Sequence, residues 1–456
     1  MGSRHTGLWA AASGVLLWLS LSTVPVMAGP QGGQVVAGQG SISNPNPVTT
    51  LINQQSNRLA IDWSSFNVAP NETVQFNQPS VSAAALNRIL DQNPSQIFGS
   101  IIANGQVYLL NPNGIVFGKS AVVNVGALFA TGLNISDSDF MSGKLNFAAL
   151  AGQDGGYVIN HGLLRAANGG SINLIGSSVF NDGIIVANLG QVNMAAGSAV
   201  TVDFNGDGLM QFQVTGPVLH RMLDAESGAA VTNAGKVQAD GGTVVMSAAV
   251  AEQILMQAVN NSGLVQAGAI RNKDGHIYLT GVGGDVTNSG TLRADSAQGN
   301  GGSITLQSSG DTTVTADGTL SAQSLGGGTG GVIQLLGNRV GIFNNASVNA
   351  SGADGGGTIL VGGDEHGASG VQTASSTVMD QQAQLVADAL SSGNGGKIVL
   401  WSNDYTGFFG SISAKGGAHG GNGGFVETSS RNNLQAFGSV NATAVLGKAG
   451  EWLLDP

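Results

Sequence analysis

The sequence has no cysteine, and that absence removes a disulfide framework, a thiolate zinc site and a thiol nucleophile together. Charge is scarce as well. Asp, Glu, Lys and Arg make up 9% of residues, against about 25% in an ordinary soluble domain, so the charged outer faces that surface helices need are missing. Aromatic residues stand at 5%, and a large core must therefore be filled by Val, Ile, Leu and Ala. Basic residues are the minority sign, 16 against 27 acidic, for a formal net charge of -11. Nucleic acid is excluded as a partner, because binding it requires a basic footprint.

What the chain has in excess is glycine, 73 of 456 residues, about twice the usual share. Glycine is costly inside helices, so this profile suits many short strands joined by tight turns. At the N-terminus, Arg4 and His5 precede an apolar run from Leu8 to Leu21, then Pro25 and the small-residue stretch Val26-Met27-Ala28. That is the pattern of a secretory signal peptide, predicted over 1–28 with cleavage after Ala28. Gly14, Pro25 and the Ser/Thr residues between Ser13 and Thr23 weigh against a membrane anchor.

Two short patterns alternate along the rest of the chain. Asn-x-Gly followed by alternating residues appears at Asn160, Asn181, Asn233, Asn261 and Asn288, with Ala316-Asp317-Gly318 as a variant. Gly-Gly-x-apolar-x-apolar begins at Gly169-Gly170 and returns at Gly241, Gly301, Gly330, Gly356, Gly395 and Gly423. Successive copies of the second pattern lie mostly about 26–33 residues apart, a period typical of solenoids. In one unit, Ile172 and Leu174 point to one side and Ser171 and Asn173 to the other. A single strand of this kind buries too little to stand alone, at roughly 1.5–3 kcal/mol per aliphatic side chain; stacked coils merge the stripes into one core. The Gly and Asn positions read as turns that tolerate positive φ, with neighbouring Asn side chains able to stack as ladders. The predicted fold is all-β, a right-handed parallel β-helix of on the order of 13 coils, roughly 60 Å long at the strand spacing. A β-propeller is the alternative, but its units are longer, about 40–45 residues with a Trp-Asp signal.

Between Leu51 and Phe147 the blocks are more specific. Ile61-Asp62-Trp63-Ser64-Ser65-Phe66-Asn67-Val68 is followed by Val74-Gln75-Phe76-Asn77-Gln78-Pro79-Ser80, Leu86-Asn87-Arg88-Ile89 and Pro94-Ser95-Gln96-Ile97-Phe98-Gly99. Next come Ala103-Asn104-Gly105-Gln106-Val107-Tyr108-Leu109-Leu110 and Asn111-Pro112-Asn113-Gly114-Ile115-Val116-Phe117-Gly118, then Asp139-Phe140-Met141-Ser142-Gly143. In this order the blocks resemble the secretion domain of the filamentous haemagglutinin family, the exoproteins of two-partner secretion in Gram-negative bacteria. The resemblance implies a β-helix with an N-terminal cap and extra-helical strands. It also implies recognition in the periplasm by an outer-membrane β-barrel transporter with periplasmic modules, and a secreted or cell-surface location. The domains expected on this basis are the signal peptide at 1–28, a secretion domain at 29–270 and a β-helical repeat region at 271–456.

The secretion motif carried over is Asn111, Pro112, Asn113, Gly114 and Ile115, with Asn87 and Arg88 as supporting residues. From its own chemistry Asn-Pro-Asn-Gly is a turn, Pro112 fixing φ and Gly114 allowing a left-handed residue. Whether the motif shapes a corner or is read directly by the transporter stays open at this level. The family's second motif, Asn-Pro-Asn-Leu, is not present; Asn44-Pro45-Asn46-Pro47 only echoes it. The final segment Gly450-Glu451-Trp452-Leu453-Leu454-Asp455-Pro456 resembles one that leads onward into repeats, so the chain reads as a truncated or unusually short member.

Enzymatic and metal signatures do not emerge. Asp203-Phe204-Asn205-Gly206-Asp207-Gly208 opens like a calcium loop, but its twelfth position is Val214 where a bidentate Glu is needed. Gly114 to Ser120 imitates a phosphate loop one residue short. The six His residues lack metal-ligand spacing. The expectation is therefore a non-enzymatic exoprotein without cofactor or metal, adhesin-like, attaching to a host or bacterial surface glycan or protein. The alternatives are the secretion module of a longer haemolysin, toxin or haem-acquisition exoprotein, and, less favoured, a polysaccharide-degrading β-helix enzyme.

Overall fold

A computed structural model describes residues 29–455 except 154, 205–209, 220–227, 252–256, 271–272 and 369. The segment 1–28, expected to be a signal peptide, and most of the calcium-like loop lie outside the described residues. The chain winds through three long sheets as a parallel β-helix. The first face is a 15-stranded sheet, the second has 12 strands and the third 15. A single coil shows the order. Ala84–Ile89 lies on the first face, Ser95–Ile97 on the second, Ser100–Ala103 on the third, and Gln106–Leu110 returns to the first. On the first face one strand, Gln34–Ala37, is antiparallel to Arg58–Trp63, which leaves fourteen of the 15 in the parallel stack. At about 4.8 Å per layer the rod is about 60 Å long, as the repeat spacing predicts.

The N-terminal cap is Gln34–Ala37 together with Gly40–Asn46, which runs antiparallel to Thr49–Gln54 on the third face. Asn44-Pro45-Asn46 falls within this capping strand. Extra-helical elements are also present. A short helix, Asp137–Ser142, precedes a three-stranded antiparallel sheet of Leu145–Ala148, Ala199–Phe204 and Met210–Gly216. Val214 pairs with Val200 there and packs on the apolar layer beneath, so the twelfth position of the calcium-like pattern belongs to a strand.

The interior is one continuous aliphatic column. Ile172 and Leu174 are fully buried in it, as alternation requires, and so are Val192, Met194, Val244 and Met246 on the next two coils. The Asn ladder is present too. Asn160 Nδ2 donates to Asn181 Oδ1 at 2.7 Å, Asn181 to Asn233 at 2.7 Å, Asn233 to Asn261 at 2.8 Å and Asn261 to Asn288 at 2.7 Å. All five residues are fully buried.

Three details differ from the sequence reading. The ladder Asn residues do not take positive φ; the non-glycine residues that do are Leu189, Ala316, Asn344 and His366 among the described residues. Asn is required there for its side-chain amide, which both donates and accepts. The second glycine of each Gly-Gly pair has a different task from turning. A Cβ at Gly170 would collide with Gly126 O, at Gly242 with Gly190 O, at Gly331 with Gly302 O and at Gly424 with Gly396 O, and the unpaired Gly190 meets Gly170 O in the same way. The corners stack backbone on backbone, with no room for a side chain. The variant repeat also shifts, because strand register places Val314, not Ala316, beside Asn288. The longer corner puts Ala316 in the left-handed region with φ 56°.

Candidate functional site

The corner from Asn111 to Gly114 joins the first-face strand Gln106–Leu110 to the second-face strand Ile115–Phe117. Asn111 is fully buried. Its Nδ2 donates to Asn93 O and Ser95 Oγ, both at 3.0 Å, and its Oδ1 accepts from Asn113 N at 2.9 Å. That last bond is an Asx turn, the local closure that Asn offers and most residues do not. Gly114 N donates to Asn111 O at 2.9 Å, and Gly114 stands at φ 113°, where a side chain is strained. Ile115 is fully buried in the aliphatic column, its strand flanked in parallel by Ser95–Ile97 and Val158–Asn160. The phosphate-loop likeness dissolves here, since 115–117 is a strand in mid-sheet.

The five motif residues therefore divide. Asn111, Gly114 and Ile115 are buried and hold the corner, whereas Pro112 is half-buried and Asn113 exposed. Asn113 Nδ2 reaches back to Asp91 O at 2.8 Å, beside Leu90, which is 61% exposed. Pro112, Asn113 and Leu90 are thus the part of this corner that another molecule can touch.

Asn87 and Arg88 lie on the preceding coil, in register with Leu109 and Leu110, and point to opposite sides. Asn87 is fully buried inside the coil. It accepts from Trp63 Nε1 at 3.0 Å and donates to Tyr108 O at 3.1 Å and Ala85 O at 3.2 Å. It fixes the indole against Phe66, whose ring meets it edge-on at 5.5 Å. Arg88 points outward and works as a clamp. Nη1 pairs with Asp62 Oδ1 at 3.1 Å and Nη2 with Asp137 Oδ1 at 2.6 Å, while Nη2 also donates to Ile135 O at 2.8 Å. The guanidinium thereby ties the first face to the start of the short helix.

Sequence reasoning missed the partners of this clamp. Asp137 and Ile135 are 49 and 47 residues away from Arg88, and no local pattern connects them. The helix left a faint signal. Ser136 is its N-cap, accepting from Asp139 N, and Gly143 ends it at φ 82°. Beneath the helix and the extra-helical sheet is a second apolar layer that includes Leu86, Tyr108, Phe129, Phe140 and Phe147. Tyr108 stacks on Phe129 at 4.2 Å and meets Phe140 edge-on at 5.3 Å. Burial pushes the Tyr108 phenol well above its ordinary value, against the opposing pull of Arg58, so it stays protonated and donates to Gln106 Oε1 at 3.2 Å. Arg58 lies over the Phe140 ring at 5.1 Å. The outer side of coils 58–175 is thus a sealed platform, and the Asn111 corner stands at its margin.

Comparison with known proteins agrees with this architecture. The family model described as the TPS secretion domain matches residues 27–294. A heme/hemopexin-binding protein of Haemophilus influenzae (strain ATCC 51907 / DSM 11121 / KW20 / Rd) is 32% identical over 274 residues, 59% of this chain and 29% of that protein. A second heme/hemopexin-binding protein from Haemophilus influenzae is 41% identical over 102 residues, 22% of this chain and 11% of its own length. The match thus spans less than a third of either relative. Among solved structures, the crystal structure of the HMW1 secretion domain from Haemophilus influenzae is similar with a TM-score of 0.70 and 28% identity. That similarity covers 94% of this chain and 100% of the other.

Proposed function

The chain belongs to the TPS secretion domain family, that of two-partner secretion exoproteins, and from that premise we propose that the Asn111 corner and the Arg88 clamp make its N-terminal half readable by the outer-membrane transporter. The observation that carries this reading is the division of the motif into buried and exposed residues. Asn111, Gly114 and Ile115 build the corner; Pro112 and Asn113, with Leu90, present it. Asn111→Ala and Asn113→Ala, each co-expressed with the transporter, test it. Asn111→Ala is expected to lower both stability and export. Asn113→Ala is expected to lower export with its thermal midpoint retained. Full export of Asn113→Ala would leave the corner a purely architectural device.

Beyond export, the exoprotein acts by binding and not by catalysis, attaching to a surface glycan or protein. A second reading, haem or haem-carrier capture, is favoured by the heme/hemopexin-binding relatives. Pull-down of the secreted chain with haemopexin, against binding to glycan-bearing cells, separates the two.

A further inference from the structure

The outer side of the third face changes character near residue 294, where the family match ends. Strand register sets one outward column through Ser100, Val122, Leu163, Ile184, Lys236 and Leu264. The same column continues through Thr291, Thr319, Ser347, Gln384 and Ser411. It is mainly aliphatic from 122 to 264 and carries hydroxyls or an amide from 291 onward. Val122 is 43% exposed and Ile184 45%, and Ile102, in the neighbouring outward column, is 44% exposed. Layers lie about 4.8 Å apart, so Val122, Leu163 and Ile184 form an unbroken ridge on three successive strands. The later coils show that this position accepts Thr, itself a good strand former. The coil therefore does not require aliphatic residues there, and contiguous exposed apolar surface marks a contact. On the first face the same half of the rod covers its outer apolar layer with the short helix and the antiparallel sheet. On the third face Val122 and Ile184 are left open.

We propose that this ridge docks an apolar, acid-rimmed surface of the outer-membrane transporter. The proposal rests on the reading of this half as the part that the transporter handles, and it adds the face and the chemistry of contact. Charge supports it. In the two outward columns from Ser100 to Ser413 the charged residues are Arg165, Lys236 and Arg293, without a carboxylate. That single sign stands on a chain with 27 acidic and 16 basic residues. All three bases lie inside the matched span, as the ridge does. Arg165 and Lys236 make no ion pair among the described residues, which leaves both for carboxylates across an interface. A second copy of the chain is disfavoured, because facing ridges would set base against base with no acid to meet them. A bilayer is disfavoured too, since neither column carries the Trp or Tyr that anchors at a membrane interface.

The full chain is co-expressed with the transporter, carrying a photo-cross-linking residue at 163, 184, 319 or 347, one position at a time. Cross-links to the transporter are expected from 163 and 184, on the ridge, and not from 319 and 347, further along the same column. The triple variant Val122→Thr, Leu163→Thr, Ile184→Thr copies the later coils. Its thermal midpoint should stay at the parent's value while its affinity for the detergent-solubilised transporter falls about tenfold or more. Lys236→Glu is expected to weaken the same binding about threefold or more and to flatten its dependence on salt. Cross-linking that does not distinguish the two pairs of positions, no saturable binding by the parent, or unchanged affinity in the triple variant overturns the proposal. So does a parent dimer in sedimentation that the triple variant abolishes, or flotation with phosphatidylglycerol vesicles that it abolishes, since either gives the ridge another occupant. The two readings fail separately. Lowered export of Asn113→Ala beside full binding by the triple variant keeps the corner and removes the ridge, and the reverse pair of results removes only the corner.

Discussion

The two halves of the rod stabilise the same coil in different ways. In the first half the coils are unequal. Ladder partners Asn160 and Asn181 are 21 residues apart, whereas Asn181 and Asn233 are 52 apart. The surplus chain leaves the helix, forms the extra-helical sheet and returns, sealing an aromatic layer against the outer side. In the second half the corners are glycine-rich and the coils more even. There the Asn ladder gives way to hydroxyls at another corner: Thr377 Oγ1 donates to Trp401 O at 2.9 Å, and Thr406 Oγ1 to Ser429 O at 2.8 Å. In the first half side-chain coverage and amide ladders are added to the backbone contact of the glycine corners, while the second half has that contact with single hydroxyls. The irregular half is the one that coincides with the family match.

The sharpest way to break this contrast is to put a side chain into the glycine column. Gly331→Val would drive atoms into Gly302 O. It is expected to cost about 4 kcal/mol or more, seen as loss of a cooperative unfolding transition in the second half. Next in size is Asn233→Ala, which strands Asn181 Nδ2 and Asn261 Oδ1 inside the rod. About 2–4 kcal/mol is expected from two orphaned buried groups, read by denaturant unfolding. A loss below that of Thr377→Val, which removes one hydroxyl, would erase the difference between ladder and hydroxyl support. Arg88→Ala should cost about 1–3 kcal/mol and accelerate hydrogen exchange at 135–142, with the second half unaffected. Uniform acceleration would mean that the platform is not a local unit.

The smallest effect concerns pH and a strap, 362–375, described but for residue 369, that leaves the first face after Val361 and joins the second at Ser376. It is held by Lys397 Nζ on Asp364 Oδ1 at 2.8 Å and Glu365 Oε2 at 3.0 Å. Burial opposes the charged form of Asp364, but the bonds from Lys397 and the Glu365 N–H outweigh it and hold the carboxyl below its ordinary value of 3.8. Burial likewise opposes the charge on Lys397, and Asp364 and Glu365 outweigh it, raising the ammonium above 10.5. The depressed acid stabilises the strap above 3.8, and that contribution is lost as pH falls through its folded value. The raised base contributes below 10.5 and is lost as pH rises through its folded value. Exchange protection of 364–367 should therefore be flat between these limits and fall outside them. A step between these limits would mean that the Lys397 pairs are not what holds the strap.

Much of this architecture was legible because its period is short. The alternation of Ile172 and Leu174, the recurring Asn and the Gly-Gly pairs state a coil within a few residues, and stacking copies them. The physical reason for a residue was harder to read than its place. Glycine at 190 and 331 is required by a neighbouring carbonyl one coil away, and nothing in the local sequence shows that carbonyl. The helix 137–142 has six residues, too few for an apolar period. Arg88 and the strap depend on partners dozens of positions distant. At the corner, Asn111 and Asn113 look equivalent in sequence, and only the fold separates the buried one from the exposed one.

The strands at 34–37 and 40–46 run against the direction of the parallel layers they cover. They cover the hydrogen-bonding edge of the first coil, so a neighbouring molecule at that end meets short antiparallel strands, one of them interrupted by Pro45, and not the parallel stack itself. The rod is consequently a thread with a head.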